Sequence, residues 1–115
     1  MNKDGKKACK EIAAYYGYDT QSRQCIEEMA ELTQAINKYW RKILAPGKSN
    51  GYTCEYMPVN NTEYDNLLEE IADVEVMIEQ MKILLLGGLE VEVIIEEKLH
   101  RQLERIKEKQ NGQVD

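Results

Sequence analysis

Phenylalanine is absent from this chain, and proline, tryptophan and histidine occur only two, one and one times. Few prolines, together with no stretch that alternates apolar and polar residues, exclude a sheet-rich domain and leave helix as the default. A single histidine excludes metal sites that need several. Glu97–His100 reads as ExxH, but di-iron bundles carry two such motifs, and His100 falls about 140° from Ile95 on the helix, at the surface. The cysteines Cys9, Cys25 and Cys54 are odd in number, far apart and without a CxxC. Neither a disulfide framework nor a zinc site follows, and reduced cysteines in a cytoplasmic protein are expected. No apolar run approaches the ~18 residues of a membrane span, and MNKDGKKACKE lacks the apolar core of a signal peptide. Basic excess is missing too. Fifteen Lys and Arg against 21 Asp and Glu leave a net charge of −6, which argues against a nucleic-acid partner, since phosphate backbones are bound by displacing counterions with basic patches. GKS at Gly47–Ser49 is no phosphate-binding loop, because the pattern needs glycine where Lys42 stands and a strand before it.

Leu, Ile, Glu, Lys and Met supply much of the chain. Its 115 residues make one domain, residues 1–115, with a modest core for which self-association is a common remedy. A short helix is expected from about Asp4 to Tyr16, ended by Gly17. A second, capped by Asp19 or Thr20, runs to about Leu44, where Pro46-Gly47 stops it. Residues 46–60 have no period and read as a long loop, a feature often tied to function. Asn60 and Asn61 can cap a helix from about Thr62 to Leu86, broken by Gly87-Gly88. The last helix, about Leu89 to Lys109, carries Ile95, Leu99, Leu103 and Ile106 on one face. KEKQNGQVD reads as a frayed end. The expected fold is all-α, a four-helix bundle.

The carboxylates on these helices set the problem. With Glu28 at 0°, Leu32, Tyr39 and Ala35 fall within about 40° of it, so Glu28 sits inside the apolar stripe; Glu31 lies near 300° and Glu27 near 260°. With Glu70 at 0°, Val74, Met81 and Met77 flank it within about 40° and Asp73 lies near 300°. Both helices thus hold an i, i+3 carboxylate pair in one register. If they pack side by side, both pairs face one interior point. An unpaired buried carboxylate is penalised by several kcal/mol or takes up a proton, and four together repel. Divalent cations would relieve this, and carboxylate oxygens suit Mg²⁺ or Mn²⁺. Glu75, Glu79 and Glu90 read as solvated helix surface.

EEMAE (Glu27–Glu31) followed by EIAD (Glu70–Asp73) resembles the EExxE…ExxD signature of MazG-like proteins, all-α nucleoside triphosphate pyrophosphohydrolases that include dimeric dUTPases and dCTPases. The flanks QCIEEMAELTQAINKYWR and NLLEEIADVEVMIEQMKILL extend the likeness over roughly residues 15–105. The segment between Glu31 and Glu70 is longer than in compact members. The resemblance implies hydrolysis of a (d)NTP to monophosphate and pyrophosphate, with Glu28, Glu31, Glu70 and Asp73 holding Mg²⁺, for which Mn²⁺ can substitute. It implies Glu27 as an accessory ligand or as the group orienting the attacking water, and a homodimer or homotetramer.

Basic groups should then cover the remaining phosphates. Lys98, Arg101 and Arg105 form one edge beside the stripe of the last helix, and KLHR (Lys98–Arg101) resembles the family's K-x-x-R. Lys98 and Arg101 are the favoured phosphate contacts, against the plainer reading of a solvated face. Lys38 and Arg41 are weaker candidates. Gln24 and Gln21, one and two turns before the glutamate pair, are candidate substrate contacts. Trp40, Tyr52 and Tyr56 could stack on a base, although Trp40 fits the core better. The competing reading is a non-catalytic helical bundle that binds a partner or regulates one.

Overall fold

The computed structural model describes residues 1–44 and 62–112. The whole of the expected long loop, with Cys54, Tyr52 and Tyr56, lies outside the described residues. Every regular element among them is helical: α1 (Lys3–Tyr39), α2 (Thr62–Leu84) and α3 (Gly88–Gly112), with α1 running into a π-helical turn over Trp40–Leu44. Asn2 caps α1, its side chain accepting from the Gly5 amide at 2.8 Å.

Gly17 divides α1 into two arms. Its φ of 83° and ψ of 171° are non-helical, a conformation that in practice only glycine adopts, and the helix resumes at once beyond it. The break expected there is present, as a sharp bend within one continuous element. The longer arm, residues 18–39, runs antiparallel to α2: Gln21 meets Gln80 near one end and Lys42 meets Glu63 at the other. The N-terminal arm packs back against the middle of α2, bringing the Cys9 Sγ to 3.9 Å from the Val76 carbonyl.

The core is thin. Cys9, Ala13, Cys25 and Tyr39 of α1 and Val74 and Met77 of α2 are buried, and with them the polar pair Gln21 and Gln80. Cys9 and Cys25 are free thiols, and burial pushes both pKa values up, Cys9 with added repulsion from Glu79. Trp40 corrects an expectation: it is 54 % exposed, while Tyr39 is 5 % exposed and takes the core position. The 100° step between neighbours lets only one of the two face α2.

α2 ends earlier than the expected Leu86. Leu86 takes a left-handed φ of 55°, its amide bonding Ile83 and that of Gly87 bonding Lys82. This is the Schellman closure, here with leucine where glycine is usual. Beyond it α3 departs. It meets α2 only near the turn, shares no contact region with α1 and has no buried residue. The described residues of one chain therefore form a bent two-helix hairpin with a third helix standing off it, and no four-helix bundle. No helix among the described residues is long and apolar enough to cross a membrane.

Candidate metal centre

Two helical registers build the site. Glu28 and Glu31 are one turn apart on α1, as are Glu70 and Asp73 on α2, and the antiparallel packing brings the two turns together. One carboxylate oxygen each from Glu28, Glu70 and Asp73 lies within 4.8 Å of the others. Glu31 is exposed, yet its carboxyl is pushed above its ordinary 4.5. The charge of Glu28 is the largest cause and that of Glu70 the next; desolvation, a hydrogen bond with Glu28 and the charge of Asp73 add to it. The Glu31 carboxyl thus feels each of the other three acids read from the sequence.

The individual oxygens show what the cluster lacks. The Glu28 Oε2 accepts from the Gln24 Nε2 at 2.7 Å. The Glu28 Oε1 and the Glu70 Oε1 are buried and have no hydrogen-bond partner. Two desolvated carboxylate oxygens without donors are costly unless a cation or a proton meets them. Oxygen-only donors, several of them charged, fit Mg²⁺ or Mn²⁺. The residues present therefore suit the implied ion.

Beside the cluster opens a cleft of about 330 Å³, lined by Glu31, Gln34, Ala35, Lys38, Glu63, Asn66 and Glu70. Its volume falls at the lower end of small-ligand sites. Lys38, the weaker candidate, lines it together with Glu31 and Glu70. Lys98, Arg101 and Arg105 instead border a concavity formed by α3 alone. Glu27 is exposed and stands outside the three-carboxylate group. Gln21 is buried and gives its amide to the Gln80 Oε1 at 2.7 Å, so that donor is held in the helix interface. Gln24 is turned toward Glu28. His100 is exposed, as its register indicated.

Gln34, Glu63 and Asn66 were not singled out from the sequence. Gln34 follows Glu31 by three residues and Asn66 precedes Glu70 by four, so helical spacing alone could have placed them on the site's face. Comparison with family models, with curated proteins and with solved structures gives no match.

Proposed function

We propose that this chain is a Mg²⁺-dependent nucleoside triphosphate pyrophosphohydrolase, releasing monophosphate and pyrophosphate from a (d)NTP. One observation carries the reading. Two neighbouring helices put carboxylate oxygens of Glu28, Glu70 and Asp73 within 4.8 Å of one another, and two buried oxygens of that group lack any donor. Purely structural carboxylates would be expected to meet lysines or amides there. A bound divalent cation supplies charge neutralisation for the polyphosphate and a nucleophilic water at neutral pH.

In this reading Glu28, Glu31, Glu70 and Asp73 hold the ion, and Gln24 keeps the Glu28 carboxylate turned inward. Glu27, exposed beside Glu28, orients the attacking water. Lys38 meets a phosphate in the adjoining cleft, and Asn66 and Gln34 offer amide donors to the rest of the ligand. Lys98 and Arg101 would contribute only from outside this cleft, because α3 borders none of it.

The bareness of α3 favours a second reading, a helical scaffold that binds a partner and catalyses nothing. A panel of (d)NTPs with Mg²⁺ and with Mn²⁺, assayed for pyrophosphate, separates the two. Turnover is expected with at least one nucleotide, together with a metal-dependent rise in melting temperature. Asp73→Asn should lower turnover at least about 100-fold, the upper end of what losing an outer-shell metal partner costs. Its metal-free stability should be equal or higher, because one repelling charge is gone. No pyrophosphate from any nucleotide, with no metal-induced shift, would leave the scaffold reading.

A further inference from the structure

The turn from α2 to α3 joins an unfavourable backbone to bare apolar side chains. Leu86 holds a left-handed φ of 55°, which costs a residue with a side chain stability relative to glycine. A glycine follows at once, yet the left-handed position belongs to Leu86 and not to Gly87. No packing compensates. Leu86 is 88 % exposed and Leu89, just past the turn, 83 %. No other large apolar side chain among the described residues is as exposed as these two.

Cations stand beside this tip. Residues 1–16 carry four lysines against two acids, in a chain whose net charge is −6. Take the buried Cys9 and Ala13 as the direction that faces α2. Lys3, Lys6, Lys7 and Lys10 then all lie about 40–140° to one side, and Asp4 and Glu11 fall about 180–200° away, at the back. The arm thus presents a flank of lysines alone. Lys6 and Lys10 border one concavity of about 570 Å³ with Lys82, Ile83, Leu86 and Leu89, so flank and tip form a single surface. Three acids share it. Lys82 holds Glu79 at 3.1 Å and Glu92 at 4.0 Å, and Glu90 sits in the first turn of α3, where its charge suits the helix N-terminus. The ion pairs among the described residues include neither Lys6 nor Lys10.

We propose that this end of the molecule docks on an anionic lipid bilayer. Leu86 and Leu89 enter the apolar boundary of the bilayer, and Lys3, Lys6, Lys7 and Lys10 meet lipid phosphates. The contact lies on the membrane and needs no helix that crosses it. Its form suits a bilayer better than a single fixed anion. Leucines that project from a turn fit a deformable apolar layer, and lysines spread over two helical turns fit a field of phosphates. Apolar insertion and basic charge are the two signals that together hold a protein at such a surface. The acid cluster does not cancel the attraction: Asp73 lies about 17 Å along α2 from Leu84, roughly two Debye lengths at physiological salt. The inference does not depend on the catalytic reading.

The test is co-sedimentation of the full chain with two kinds of vesicle, phosphatidylcholine alone and phosphatidylcholine mixed with phosphatidylserine. Chelator is present throughout, so that no divalent cation bridges the carboxylates to lipid. Binding is expected only with phosphatidylserine, weakening as salt rises. Lys6→Gln combined with Lys10→Gln should lower the partition coefficient roughly 30-fold, the effect of losing two lysines near a charged surface. Leu86→Gly should lower it at least about tenfold. Its melting temperature should equal or exceed that of the wild type, because glycine suits the left-handed position. Loss of binding without loss of stability separates a surface role from a structural one. Absence of binding to either vesicle would overturn the proposal and leave the leucine tip to a protein partner. Binding indifferent to phosphatidylserine, or retained by either variant, would overturn it too. So would a lower melting temperature for Leu86→Gly, since the leucine would then serve the fold.

Discussion

At the scale of single residues, the site depends on how Glu28 is held. Its two oxygens have different surroundings: Oε2 accepts from Gln24 one turn earlier on α1, and Oε1 is buried with no donor. Gln24 therefore acts through Glu28, holding one carboxylate oxygen while the other stays buried without a donor. Gln24→Ala is expected to weaken Mn²⁺ binding about 10- to 100-fold, as losing an outer-shell partner does, while the helical circular dichroism stays unchanged. Titration calorimetry of the metal alone reads the first, and no substrate is needed. Unchanged Mn²⁺ affinity would mean the hydrogen bond merely occupies a surface amide. Most of this acid site was legible beforehand, because the 100° step alone sets Glu28 and Glu70 within apolar stripes and Glu31 and Asp73 beside them. Gln24's task was not legible. An amide four residues before a glutamate is common on any helix, and only the burial of the neighbouring oxygen gives it meaning.

At the scale of elements, the register between α1 and α2 rests on a polar contact. Gln21 and Gln80 are 5 % and 2 % exposed and meet at 2.7 Å. A slip of one turn along either helix would leave both amides buried without partners and would separate the two carboxylate pairs. Gln80→Leu alone should cost about 1–3 kcal/mol, the penalty for a buried polar group left unpaired. Gln21→Leu added to it should recover most of that loss, since replacing both partners by apolar groups is nearly neutral. Urea unfolding of the four members of the cycle measures this; equal and additive losses would show that the pair is not coupled. Helix limits were legible where backbone chemistry marks them, at Gly17 and near Gly87, though α2 closes on Leu86. The Gln21–Gln80 pair was not, because it lies between residues distant in sequence whose mutual register no local pattern encodes. The isolation of α3 was illegible for a related reason. A stripe of Ile95, Leu99, Leu103 and Ile106 states that a face needs cover, not which chain covers it. The same limit favoured Lys98 and Arg101 over Lys38, which lines the acidic cleft.

At the scale of the whole molecule, a net charge of −6 and a converging acid cluster make stability respond to pH and cations together. The Glu31 carboxyl is displaced upward from 4.5, chiefly by the charge of Glu28. A carboxyl with a raised folded pKa binds its proton more tightly folded than unfolded, so falling pH favours the fold across the interval between the two values. Its favourable contribution is complete below 4.5 and is lost as pH rises through the raised value. Metal-free protein should therefore melt higher as pH is lowered from neutrality toward 4.5. Saturating Mg²⁺ should reverse the slope. A cation favours deprotonated ligands, so its binding and the stability it adds grow with pH until the carboxylates are fully ionised. Melting curves with chelator and with Mg²⁺ should thus lie farthest apart near neutral pH and converge on acidification. Because the comparison needs no substrate, it examines the cluster independently of catalysis. Parallel curves at every pH would mean that these carboxylates bind no cation and that their repulsion is relieved by solvent alone.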